Sequence, residues 1–290
     1  MPRNFILMFQ GKEGSSAYVS HLGNHPRISV PLFEELERHK LRKTFRDADA
    51  LAPNLPGIVA RIFETGSFDP AFLDASAPQP VTTRPAGTDV TGFKWRIWIP
   101  PEALIDTLRA HDVMLLNLQR TDFTDLMFSV YTTYVAKQEN PVLAEGGGDA
   151  LQFRLAKAGP EERAAIEAEL AALRFTVDPE KLWPLVARRL RGYRKRLEKL
   201  RVFAGAGIPI HNISYEEFVA DPETSLRGTL AALGLEFHPG VLKTRYKKVL
   251  RSDPRDLALN ADEIQAMPEF ADYREKWDRV NRQIRQVIPA

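Results

Sequence analysis

Two apolar runs without alternation, Phe5-Ile6-Leu7-Met8-Phe9 and Val113-Met114-Leu115-Leu116-Asn117-Leu118, constrain the fold of this chain more than any other feature. Strand-length segments that do not alternate apolar with polar residues must be buried on both faces. A parallel sheet covered by helices provides that environment. Ile28-Ser29-Val30, Thr91 to Trp98 and Gly207 to Ser214 read as further strands. Helical patterns begin at Ser15-Ser16, at Pro100-Pro101, and after Leu118 and Ser214, and a longer helical region covers about 160–203. Strands alternating with helices predict an α/β fold, a central parallel sheet flanked by helices.

The 290 residues form a single predicted domain, 1–290, with an insertion over 40–90 that covers one sheet edge and a helical segment over 150–203. Gly146-Gly147-Gly148 marks a break before that segment. A hydrophobic fraction of 44% suits a full-sized core, and no apolar run reaches the length of a membrane span. The formal net charge of +2 argues against a general nucleic-acid binder. With no cysteine, disulfides, thiolate metal sites and cysteine nucleophiles are excluded. The first strand starts at about Asn4, which leaves no room for a cleavable leader, so the expected location is the cytoplasm, of bacterial type.

The chemistry begins where the first run ends. Gln10-Gly11-Lys12-Glu13-Gly14-Ser15-Ser16 is a short turn that feeds a helix. Its glycines allow close backbone approach, successive N–H groups can point at an anion, and the helix start adds partial positive charge. Lys12 adds a full charge. The pattern is not Walker A, in which the lysine follows the second glycine. Ligands of parallel sheets bind beyond the strands' carboxyl ends. The turn after Leu118, Gln119 to Tyr131, is therefore expected to face the same crevice. Arg120 at that strand end and Ser129 on the following helix suit a second phosphate, although Arg120 could equally pair with Asp122 or Asp125.

Together these segments resemble the PAPS-dependent sulfotransferase family. Gly11-Lys12-Glu13-Gly14-Ser15-Ser16 is similar to its 5′-phosphosulfate turn, with Gly11 in place of the usual proline. Arg120 and Ser129, nine residues apart, resemble its 3′-phosphate pair. Ile213 to Glu223 with Leu230 to Leu235, and Arg251 to Asp256 with Asn260 to Glu263, look like two further family stretches. The resemblance implies a P-loop NTPase-like fold, no metal, and sulfuryl transfer from PAPS to a hydroxyl or amine of a small-molecule, glycan or lipid acceptor. By the same resemblance, Gly11, Lys12, Gly14, Ser15, Ser16, Arg120 and Ser129 bind the nucleotide, with Lys12 on the leaving oxygen. Glu34, with Glu35 as understudy, is the implied base after His25-Pro26, though two such carboxylates also suit a helix start.

Several readings stay open. Lys94 either faces the crevice, within reach of the sulfate, or is an edge-strand lysine; His111 is an alternative base at the wrong strand end, and His21 and His25 read as helix and turn residues. Glu13 puts a carboxylate inside an anion-binding turn, so it is expected to face solvent or pair with a cation. The basic run Arg188 to Arg196 reads as a solvated helix face or an anion-binding patch. Lys243, Arg245, Lys247, Lys248 and Arg251 could close over the nucleotide. The alternative functions are a P-loop kinase or ATPase-like phosphotransferase and a non-catalytic nucleotide-binding protein.

Overall fold

In the computed structural model the two apolar runs lie side by side at the centre of a five-stranded sheet. The structure describes residues 3–32, 34–44, 49–69, 86–132, 158–172, 174–243 and 255–287. The strands are β1 (Asn4–Met8), β2 (Ile28–Ser29), β3 (Val90–Lys94), β4 (Val113–Gln119) and β5 (Ile210–Ser214). Their order is β2-β3-β1-β4-β5 and every pairing is parallel. Phe5, Ile6, Leu7, Leu115 and Leu116 are fully buried, as non-alternating strands in a two-sided core require.

The helices are α1 (Ser15–Leu22), α2 (Arg38–Thr44), α3 (Leu55–Thr65), α4 (Ile105–Ala110), α5 (Phe123–Tyr131), α6 (Pro160–Ala172), α7 (Pro179–Gly205), α8 (Tyr215–Ala220), α9 (Pro222–Ala232), α10 (Ala261–Ala266) and α11 (Pro268–Val287). The chain divides into two compact units. Unit 1 takes Met1–Gln119, Arg196–Thr244 and Ile284–Ala290, and unit 2 takes Arg120–Lys195 and Arg245–Gln283.

Unit 1 contains the sheet. From β1 the chain moves to the β2-β3 side, and from β4 it moves on to β5, so the sheet reverses its winding between β1 and β4. That switch point, beyond the strands' carboxyl ends, is where open α/β sheets leave room for a ligand. Register brings the ends together, with Met8 opposite Asn117 and Gln119 opposite Ser214. Gly92 of β3 sits opposite Phe5, and a Cβ at Gly92 would lie 2.1 Å from the Phe5 ring, so only glycine leaves space for that ring. Within the predicted insertion, α3 stacks Phe63 on Phe93 of β3.

The described residues of unit 2 form helices and one isolated parallel bridge, Phe175 to Ala258. Asn260 fixes this junction by accepting from Val177 N at 2.8 Å and donating to Val177 O at 3.0 Å. The helical region expected over 160–203 is therefore two helices, interrupted where residues 174–178 meet the chain around 258–260. The expected helix from Tyr215 to Leu233 also breaks, at Asp221, whose side chain caps α9 ahead of Pro222. Gly146-Gly147-Gly148, residues 70–85 of the insertion and Arg245, Lys247, Lys248 and Arg251 lie outside the described residues.

Candidate functional site

The turn after β1 has the backbone of an anion cradle. Lys12 and Gly14 both have φ near 73°, the left-handed region that non-glycine residues rarely enter. Gly14 opens α1 with no side-chain cap. The α5, α8 and α9 starts instead receive Asp122, Ser214 and Asp221 oxygens. Gly14 has no side chain with which to cap the first-turn N–H groups of α1, a role that an anion at this end can take. Glycine is compulsory at position 14 on two counts, because a Cβ there would also come within 2.6 Å of the Tyr215 ring. Lys12 and Ser16 are half-buried, while Ser15 is buried.

Glu13 does not face solvent. It is fully buried, and its carboxylate takes the Arg196 guanidinium two-pronged, Nη1 to Oε2 at 2.9 Å and Nη2 to Oε1 at 3.1 Å. The same carboxylate accepts from the Gln10 backbone N–H, and Arg196 Nη1 also donates to Leu118 O at 2.7 Å. The expected pairing with a cation is met, and the cation belongs to the basic run on α7. That run divides: Arg188, Arg191, Arg194 and Lys195 are exposed, as a solvated face requires, while Arg196 is buried.

Beside the cradle, Lys94 closes a second cluster. The lysine ends β3, beyond the two residues that pair with β2, and its side chain is 2% exposed, so it is not a solvated edge-strand lysine. Lys94 Nζ donates to Ser16 Oγ at 2.6 Å and to Glu34 Oε1 at 2.8 Å. Burial works against ionising Glu34, but Lys94, with Arg96 and Lys40, outweighs it and holds the carboxyl below its ordinary value. Glu37 goes the other way: burial pushes it up despite its bonds to Arg96 Nε and N at 2.8 and 2.9 Å. Lys94 and Arg96 also lie 5.2 and 5.3 Å from the ring centre of Phe9. The indoles of Trp95 and Trp98 both donate to Leu36 O, at 3.0 and 2.8 Å, fixing the segment that carries Glu34 and Glu37. Glu35 is exposed and accepts from the Glu34 N–H at 2.9 Å, so it is Glu34, not Glu35, that reaches Lys94.

The histidines fall as the sequence suggested. His111 ends α4 before β4 begins, at the amino ends of the strands, where its carbonyl accepts from Asn4 at 2.9 Å. His21 meets Val241 O through Nδ1 at 2.6 Å, and His25 meets Glu236 O through Nε2 at 3.0 Å.

In unit 2, Arg120 is buried and its guanidinium bonds Asp125, one of the two partners the sequence suggested. Ser129 is half-buried on α5. The turn is held from behind by residues that spacing did not reveal. The Tyr193 hydroxyl meets the Arg120 backbone, accepting from N at 3.3 Å and donating to O at 3.4 Å, and Trp277 Nε1 donates to Thr121 O at 3.1 Å. The Tyr193 and Trp277 rings pack with centres 4.0 Å apart. Among the described residues no group of three or more His, Asp or Glu side chains is gathered to hold a metal. Among them, too, no helix is long and apolar enough to cross a membrane.

No model of a known protein family matches the chain, and neither does any curated protein. Solved structures similar to it include three sulfotransferases. A sulfotransferase domain from the Synechococcus PCC 7002 olefin synthase is 16% identical, with TM-score 0.42, over 99% of this chain and 93% of that one. A sulfotransferase from Alicyclobacillus acidocaldarius is 18% identical, with TM-score 0.47, over 97% and 96%. A sulfotransferase domain from the curacin biosynthetic pathway is 12% identical, with TM-score 0.41, over 100% and 99%. Identities and superpositions at this level leave the chemistry to the residues themselves.

Proposed function

We propose that this chain is a sulfotransferase that moves a sulfuryl group from PAPS to a hydroxyl or amine acceptor. The observation that carries the reading is the turn from Gly11 to Ser16: left-handed backbone at Lys12 and at Gly14 leads into a helix start without a side-chain cap, and its one carboxylate is withdrawn onto Arg196. The order of the sequence motifs, with Arg120 and Ser129 after the first turn, supports the nucleotide assignment.

When bound, PAPS supplies a sulfuryl group already activated on a phosphate leaving group. The protein's work is then positioning and charge stabilisation. Gly11, Gly14, Ser15 and Ser16 offer backbone and hydroxyl donors to the 5′-phosphate. Lys12 neutralises charge on the oxygen that leaves with it. Arg120 and Ser129 serve the 3′-phosphate. Glu34 takes the acceptor's proton as the acceptor oxygen or nitrogen bonds sulfur and the sulfur–oxygen bond to phosphate breaks. Lys94 keeps that carboxylate ionised and ties it to Ser16 on α1.

The test is calorimetry with 3′-phosphoadenosine 5′-phosphate against ATP with Mg²⁺. Preference for the bisphosphate is expected, and preference for ATP, or no binding by either, overturns the reading. In the same assay Arg120→Ala is expected to weaken the bisphosphate by about 10- to 100-fold, the weight of hydrogen bonds to a charged group. Affinity unchanged in that variant removes Arg120 from the site.

The Glu34 assignment predicts a pH profile. A carboxyl held below its usual 4.5 in the folded protein keeps its charge, and the stability its pairing contributes, above the unfolded value; both are lost as pH falls through the lower folded value. Its acid limb on kcat/KM is thus expected below pH 4.5, leaving no break from Glu34 between pH 5 and 8. Glu34→Gln is expected to lower kcat by about 10²- to 10⁴-fold across that range. A Glu34→Gln variant that retains full kcat excludes it as the base.

A further inference from the structure

Glu13 and Arg196 form an ion pair with side chains 0% and 2% exposed, directly beneath the anion-binding turn. Burying two charges is costly, and a well-packed apolar pair often serves stability equally well. What an apolar pair cannot do is hold main-chain groups. Here the pair holds two of them. Glu13 accepts from Gln10 N, which closes the backbone around Gly11 and Lys12, and Arg196 donates to Leu118 O near the end of β4. These are the carboxyl ends of β1 and β4, the two strands between which the sheet reverses its winding. Lys12, at φ 73°, lies inside the closed segment.

We propose that Glu13 and Arg196 are positioning residues, a buried clamp that keeps the carboxylate out of the cradle and fixes the turn in its 5′-phosphate-binding form. The clamp rests on the nucleotide reading above only in needing the turn to take a 5′-phosphate. A carboxylate inside an anion site becomes an asset once its charge is spent on Arg196 and its lone pairs on the turn's own backbone. The clamp acts on one phosphate, so its effect is selective between nucleotide ends.

The test compares wild type with the double variant Glu13→Met/Arg196→Met, by melting temperature and by calorimetry with adenosine 5′-phosphate and adenosine 3′-phosphate as separate probes. The double variant is expected to melt within a few degrees of wild type, to lose at least tenfold in affinity for the 5′-phosphate, and to keep the 3′-phosphate within twofold. Unchanged 5′-phosphate affinity, or equal loss of both probes, overturns the clamp and leaves the pair as packing alone. Should the double variant not fold, Glu13→Gln decides by the same ratio, because it keeps the shape and one acceptor oxygen but not the charge. A wild type that prefers ATP to the bisphosphate overturns the sulfate-donor reading alone, since ATP presents a 5′-phosphate to the same turn. A wild type that takes neither monophosphate overturns both.

Discussion

Lys12→Ala is expected to reduce sulfate transfer by about 10²- to 10³-fold in kcat, the scale seen when one donor to a developing oxyanion is removed. The loss should fall on kcat rather than on nucleotide affinity. Charge on the leaving oxygen grows only as its bond to sulfur breaks, and an interaction stronger in the transition state than in the ground state appears in kcat. The backbone supports this division of labour. The start of α1 has no side-chain cap and offers its N–H groups to a bound phosphate regardless of residue 12, so binding should survive where acceleration does not. Lys12→Arg should recover part of the rate, because charge is kept while the left-handed position and reach of the side chain change. Single-turnover rates and bisphosphate affinity measured side by side decide the matter. A Lys12→Ala enzyme with normal kcat and raised KM would make Lys12 a binding residue only.

Arg196→Ala is expected to destabilise the protein by about 3–5 kcal/mol, the cost of stranding a buried charge. Glu13 is fully buried, and without the guanidinium its carboxylate loses both arms of the ion pair, while Leu118 O loses a donor. For a chain of this size that corresponds to a fall of roughly 10 °C in melting temperature. By contrast, removing the exposed Arg279 to Glu275 pair on α11 should cost no more than about 0.5 kcal/mol, because water already screens both charges. Arg196→Ala melting within two degrees of wild type would show that Glu13 is relieved by protonation or by water.

Much of the fold is legible because its cause is local. Phe5 to Phe9 and Val113 to Leu118 cannot be half-exposed strands, so the parallel sheet and its two central members follow from their composition alone. The cradle is equally local. Gly11, Lys12, Gly14 and the serines lie within six residues, and a turn of that length must feed whatever helix comes next. One of the two errors in element boundaries has a local cause as well. The helix expected from Tyr215 to Leu233 breaks at Asp221-Pro222, where a capping aspartate and a proline without an N–H start a new helix more readily than they continue the old one. The break at 174–178 has no such signal, because its cause is the pairing of Phe175 with Ala258, 83 residues away.

The amino-acid sequence by itself determined the parallel α/β sheet, the turn beyond β1 and the residue types that could serve an anion there. Only the tertiary structure decided what each charge does. Glu13 changes from an intruder in the cradle to one arm of a buried pair because Arg196, 183 positions on, is brought beneath it. Lys94 changes from a possible edge residue to a buried link because Ser16 of α1 and Glu34, distant in the chain, meet its ammonium. Arg120, open to either of two aspartates on spacing, bonds Asp125 with Tyr193 and Trp277 packed behind the turn. A carboxylate or ammonium costs little in water and much out of it, so its role is set by which partner shares its burial. Partners distant in the chain leave no mark on local pattern; they exist only once the sheet has put the strand ends side by side.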